Sequence, residues 1–293
     1  MPLTPRDVAI HVGLFVACCI TTYITGGPYF AATLMGILVC HEAGHYFVGR
    51  YHRIAVSPPY FIPLPPMITL GTLGAVIRMD KPISDRNQLF DVGAAGPIAG
   101  LVVAIPALVI GLYLSEVGPP TPDGMIEGNS ILYALLKLAM FGRWLPSGNE
   151  DVLLHPMGLA AWVGLLVTMI NLLPIGQLDG GHVARAALGD RHETLSARLH
   201  LVLPVVGLLV GGVMFGFALD AGRDMLGALR YASYGFAPWG MWALLLYAMR
   251  RQAGEYHPAV GDVPLDPSRR RRAMLVAIVF VLIATPVPFR PVL

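Results

Sequence analysis

The chain has 293 residues, 55% of them hydrophobic and 13% charged, with a formal net charge of +2 and a mean hydropathy of +0.64. That composition excludes an ordinary soluble domain and a disordered chain, and so small a net charge leaves no footprint for nucleic acid. What remains is an integral membrane protein whose basic residues matter through their positions between spans.

The first apolar segment runs from about Val8 to Ile24. One arginine precedes it and no small-residue cleavage site follows, so it reads as a retained span rather than a removable signal. After TGGPYF a second span is expected from Pro28 to Arg50, with the proline in its first turn. The stretch SPPYFIPLPPMITLGTLGAVIRMD holds five prolines between Pro58 and Pro66, which forbid a helix. Its glycine-punctuated second half tolerates strand, so a hairpin-like element at the membrane edge is expected. DVGAAGPIAGLVVAIPALVIGLYL opens a third span with small residues that let another helix approach closely.

Residues 116–155 form a polar connector containing ILYALLKLAMFG, which is short for a crossing, carries Lys137 and is expected to be an interfacial helix. A fourth span starts near Pro156, runs through MGLAAWVGLLVTMINLL and breaks at Pro174 into IGQLDGGHV. A break at membrane depth requires a protein-lined cavity. LVLPVVGLLVGGVMFGFAL gives a fifth span, the 14-residue FAPWGMWALLLYAM a short sixth, and AMLVAIVFVLIATPVPF a last one after Arg269–Arg272. The expected architecture is an all-α polytopic membrane protein of six to seven transmembrane helices, with a small membrane-associated β-hairpin or sheet after the second helix, forming one membrane-embedded domain over residues 1–293. Cys18, Cys19 and Cys40 all fall in spans, where an odd number suits small core residues better than disulfides. His11, His155 and His200 are lone residues near span ends and are expected at the interface.

With the N-terminus in the cytoplasm, Arg50, Arg53, Arg185, Arg191, Arg198, Arg250, Arg251 and the run Arg269–Arg272 all fall on the cytoplasmic side. The run reads as a membrane-surface anchor. His41 lies nine residues before Arg50, roughly 14 Å below that end of its helix at 1.5 Å per residue. The polar residues of LVCHEAGHYFVG therefore sit inside the bilayer, where each costs free energy unless paired or metal-bound.

In HEAGH the histidines His41 and His45 are four apart, which puts both imidazoles on one helix face within reach of a single ion, with Glu42 one position round. This is the zinc-hydrolase arrangement: two neutral nitrogens bind the metal and the glutamate takes a proton from water. Two histidines leave a tetrahedral zinc short of one protein ligand and one open position. Asp179, in NLLPIGQLDGGHV, follows a Pro-broken helix and precedes two glycines, so its carboxylate can turn toward the cavity at about the depth of His41. We assign it as third ligand. His182 is three residues further on, but a fourth protein ligand would leave no position for water, which favours an outer or structural role.

HEAGH on a second span together with NLLPIGQLDGGH on a later one resembles the site-2 protease family of intramembrane zinc metalloproteases. The resemblance extends to PYFIPLPPMITLGTLGAVIRMD, DVGAAGPIAGL and the tail RRRRAMLVAIVFVLIATPVPF, and so covers most of the chain. It implies one zinc ion per chain held by His41, His45 and Asp179, with Glu42 as the catalytic base and Asn171 as a donor to the substrate or the oxyanion. It also implies that the glycine-punctuated hairpin pairs with an unwound substrate backbone, Gly71 and Gly74 keeping side chains clear; a hairpin that merely plugs the cavity is the alternative. With no connector longer than about 40 residues, the chain resembles a core-only member without a PDZ module or CBS pair.

The function expected is an endopeptidase that cleaves membrane-spanning protein substrates within the lipid bilayer, under a regulatory partner in the same membrane or its own helices. The expected location is a prokaryotic plasma membrane, with the site open toward the cytoplasm. A zinc-binding transporter or sensor without hydrolysis is the alternative, and Glu42 discriminates between them. A serine or aspartyl intramembrane protease fails for want of a Gly-x-Ser-x-Gly site and of a second intramembrane aspartate opposite Asp179.

Overall fold

Thr4 caps the first helix: its hydroxyl accepts from the Asp7 N–H, Asp7 accepts from the Thr4 backbone, and Pro5 fills the first turn. In the computed structural model, which describes residues 4–66, 70–121 and 124–292, this helix, α1, spans Pro5–Tyr51. Its 47 residues amount to about 70 Å at 1.5 Å each, more than twice the roughly 30 Å of a hydrocarbon core. The helix breaks at Gly27, with φ +78° and ψ −173°, immediately before Pro28. A positive φ favours glycine there, and the proline restarts the helix. The first two expected spans are thus the two parts of α1, joined through one non-helical residue.

Strand β1 (Tyr60–Pro63) pairs antiparallel with β2 (Thr72–Val76), Tyr60 opposite Val76 and Phe61 opposite Ala75. Residues 67–69, between the two strands in sequence, lie outside the described residues. The pair packs along the first part of α1: the Tyr60 ring lies 4.1 Å from His11 and the Phe61 ring 5.2 Å from Phe15. Thr21 donates to the Gly71 carbonyl at 2.6 Å. His11 bonds to the Pro59 carbonyl and is buried, so it belongs to this contact and not to a free interface.

Helix α2 (Arg86–Tyr113) is capped by Asp85 and lies against α1. Beyond it the connector carries the expected short helix and also short strands, which the sequence did not suggest. Strand β3 (Glu116–Gly118) pairs with β5 (Asp151–Leu153), and β4 (Met125–Glu127) pairs with β6 (Phe289–Pro291) near the C-terminus. Helix α3 (Ile131–Phe141) sits among them, capped by Ser130. Its Lys137 is fully buried and not interfacial: the ammonium donates to Asp151 at 2.9 Å and faces the Tyr133 ring. Tyr133 donates to Glu127 at 2.7 Å, and burial pushes the Glu127 carboxyl above its ordinary range. Glu127 and Asp151 are thus buried carboxylates apart from Asp179.

Helix α4 (Pro156–Asn171), a turn over 172–178 and α5 (Asp179–Leu188) follow, then α6 (Arg191–Asp220), α7 (Met225–Ala253) and α8 (Pro267–Ile283). The core joins α1, α2 and α4 around Leu34, Ile37, Leu108, Ala160 and Trp162. α6 and α7 form a pair in which Gly207, Gly211 and Gly235 let the backbones approach. Among the described residues three helices, α1, α2 and α6, are long and apolar enough to cross a membrane. The expected six to seven spans are not confirmed: α4 has 16 residues and α8 has 17, while α7, at 29 residues, is longer than the short sixth span expected but interrupts its apolar run with Tyr, Trp, Gly and Pro. Two of the supposed loop cations are also engaged. Arg185 is buried and bonded to Gly189 and Asp190, and Arg269 makes a two-pronged pair with Asp91, so it is not a free surface anchor. All three cysteines are free thiols.

Candidate metal centre

His41 and His45 lie one turn apart in the second part of α1, both buried. The helix reaches α2 closely enough that Gly44 meets the Ala95 carbonyl, which a larger residue would displace. Along α2, Gly93, Gly96 and Gly100 face His182, His45 and His41 in turn, and a Cβ on Gly96 would enter the His45 ring. The small-residue run opening the third span therefore makes room for imidazoles as well as for a neighbouring helix.

Asp179 reaches the same point as the first residue of α5. Its Oδ2 lies 3.1 Å from His41 Nε2 and its Oδ1 3.2 Å from His45 Nε2, while the two Nε2 atoms are 3.2 Å apart. Tetrahedral ligands at the roughly 2.0–2.1 Å typical of zinc stand about 3.3 Å from one another, so these three atoms already have the spacing of one face of such a site. His45 Nδ1 is 2.8 Å from the Val92 carbonyl, which can only accept. The proton is thereby fixed on Nδ1 and the Nε2 lone pair aims into the cluster, the tautomer a metal requires. The donor set of two imidazoles and one carboxylate fits zinc.

Glu42 is buried beside His41, at 4% exposure, yet stands outside the group of ligand atoms that gathers His41, His45 and Asp179. Asn171 ends α4 and brings Nδ2 to 3.5 Å from His41 Nε2. The hairpin glycines divide. Gly71, at φ +83°, abuts the α1 backbone at Thr21 and Thr22, so its missing side chain is explained by packing on that helix; Gly74, at φ +104°, faces open space.

A family model described as Peptidase family M50 matches residues 29–214, a range that holds His41, Glu42, His45, Asn171 and Asp179. The chain belongs to peptidase family M50. Among its relatives, this M50 member is 29% identical over 261 residues to the probable chloroplastic zinc metalloprotease EGY1 of Oryza sativa subsp. japonica, covering 87% of this chain and 39% of the relative. It is 29% identical over 255 residues to EGY1 of Arabidopsis thaliana, covering 85% and 41%. With the probable chloroplastic zinc metalloprotease EGY2 of Oryza sativa subsp. indica it shares 31% identity over 196 residues, 64% of this chain and 34% of the relative. The M50 chain thus spans about two fifths of the length of the first two relatives. Relatives named as chloroplastic lend no support to a prokaryotic plasma membrane.

Sequence reasoning missed three features around this cluster: the Val92 carbonyl, the glycines of α2 as a seat for the rings, and His257, whose Nε2 lies 2.7 Å from His182 Nδ1. The glycine spacing was the one visible signal. A backbone carbonyl and a histidine on a distant loop leave none.

Proposed function

We propose that the chain is a membrane-embedded zinc endopeptidase, a single domain over residues 1–293, that cleaves membrane-spanning segments of protein substrates. The observation that carries this reading is the mutual spacing of 3.1–3.2 Å among His41 Nε2, His45 Nε2 and the Asp179 carboxylate, in a chain of the M50 family. His41, His45 and Asp179 would hold the ion, and a zinc there would supply Lewis acidity and lower the cost of deprotonating water. Glu42 is the base: free of the ligand group, it takes the proton from the attacking water and returns it to the leaving amine. Asn171 Nδ2 donates toward the oxygen on which negative charge develops. His45, its Nδ1 held by the Val92 carbonyl, would present its Nε2 lone pair to the ion.

Substrate access is supported by an apolar cavity of about 1040 Å³ between α4, α7 and the C-terminal segment, whose lining includes Met169, Ile170, Trp239, Trp242 and Phe289. Ile170 adjoins Asn171, and Leu70 of the same lining adjoins Gly71 of the hairpin. A peptide bond must leave its helix before its carbonyl can be attacked, and the space beside Gly74 of β2, where a side chain would meet nothing, leaves room for an unwound segment to lie along the hairpin. The site opens toward the cytoplasmic side, where the basic segments lie.

A zinc transporter or sensor has no use for a buried glutamate kept off the metal. Metal analysis and a cleavage assay on single-span proteins separate the readings. Glu42→Gln is expected to retain stoichiometric zinc and lose about 10²- to 10⁴-fold in turnover, whereas Asp179→Ala loses the zinc. Stoichiometric zinc with no cleavage, unchanged by Glu42→Gln, would sustain the transport reading instead.

A further inference from the structure

His257 lies on the segment 254–266 between α7 and α8 and is buried at 4% exposure. Its Nδ1 is 2.8 Å from the Pro258 carbonyl, which only accepts. In a neutral ring that fixes the proton on Nδ1 and leaves a lone pair on Nε2, 2.7 Å from His182 Nδ1. His182 is therefore the donor and His257 the acceptor. The rings meet edge to face at 5.0 Å.

The place of this bond in the fold gives it a use. α5 begins at Asp179, and its N-cap, Leu178, makes no side-chain cap bond, so the first turn has no local side-chain support. Gly180 and Gly181 press on the carbonyls of Leu172 and Gly176, and His182 Cβ packs on Gly93 of α2. The far end of α5 is pinned by Arg86, which donates to the carbonyls of Ala186 and Ala187 at 2.7 and 2.9 Å. At the near end, besides the contacts of the Asp179 carboxylate itself with His41 and His45, the long-range side-chain tie is His182 to His257. The segment carrying His257 is itself anchored. The Tyr256 N–H donates to Glu193 at 3.1 Å, the Gly261 N–H donates to the Ser84 carbonyl at 2.8 Å, and Arg250 lies over the Tyr256 ring.

We infer that His257 is a positioning residue for the metal centre: through His182 it holds the first turn of α5, so that the Asp179 carboxylate stays opposite His41 and His45. This rests on the metal assignment above, and the test separates the two. On the purified full chain in detergent, zinc affinity is measured by competition with a chromogenic chelator, and the cobalt-substituted protein by its visible spectrum. Wild type binding one zinc, and Asp179→Ala binding none, upholds the metal assignment; a wild type without zinc, or an Asp179→Ala variant that binds as wild type does, overturns that assignment and this inference with it.

Given zinc in the wild type, His257→Ala is expected to bind it about 10- to 100-fold more weakly, with an altered cobalt spectrum. His182→Ala should do the same, and the double variant should be no worse than the weaker single, because both remove one link. His257→Gln, whose side-chain oxygen can accept from His182, should recover most of the affinity. A folded His257→Ala within about twofold of wild type, or losses that add fully in the double variant, would overturn the inference while leaving the metal assignment standing. Should His257→Ala fail to fold, His257→Gln decides: folded and more than about tenfold weaker, it overturns the inference as well.

Discussion

Gly96 and Gly36 are both helical glycines, and what a side chain would meet at each differs completely. A Cβ at Gly96 would enter the His45 imidazole, while one at Gly36 meets nothing within 4 Å. Gly96→Ala is therefore expected to push His45 off the cluster and weaken zinc binding by about tenfold or more. Gly36→Ala should leave zinc untouched and stabilise α1 by up to about 1 kcal/mol through helix propensity. Chelator competition and thermal unfolding on the two variants check this; equal zinc loss in both would show that the glycine seat has no part in the site. At this scale HEAGH was legible because a four-residue spacing needs only helix geometry. The proton on His45 was not, since it depends on where the Val92 carbonyl points.

Short elements decide what the connector does. The strands β3, β4, β5 and β6 have three residues each, too few for alternation to register in sequence, and β4 finds its partner only in the last residues of the chain. Together with α3 they enclose Lys137, a residue that a short amphipathic helix would place in the headgroups. Its pairing with Asp151 at 2.9 Å, deep in the structure, makes the two charges interdependent. Lys137→Met leaves Asp151 buried without a counter-charge and is expected to cost about 3–5 kcal/mol. Lys137→Met combined with Asp151→Leu should recover a large part. Thermal or denaturant unfolding measures both, and a single variant as stable as wild type would mean that the pair adds nothing. The proline-rich segment, by contrast, did form the expected hairpin, because prolines exclude helix whatever the tertiary context.

Across the whole molecule the proposed ligands come from positions 138 residues apart, on two helices that both pack against α2. An ion held by both joins α1 to α5 in the folded state only, so binding is linked to stability. At free zinc about 100-fold above its dissociation constant the linkage amounts to about 2.7 kcal/mol. Zinc should raise the unfolding temperature of the wild type, and a chelator should lower it. Asp179→Ala should respond to neither. A wild type whose melting ignores both additions would argue against an ion bridging the two helices.

Composition and period alone determined that this chain belongs in a bilayer, that a hairpin follows its second apolar segment, and that polar residues at 41, 45 and 179 face a cost which a shared ion would relieve. Those conclusions need only transfer free energy and local geometry, which a sequence carries in full. Only the tertiary structure decided that Lys137 is inside, that α2 offers glycines to the imidazoles, that Arg269 is tied to Asp91, and that His257 reaches His182. Each of these joins segments far apart in the chain. Such pairings are fixed by how whole helices pack and by which buried polar atoms must then find partners, a condition no local stretch of sequence expresses.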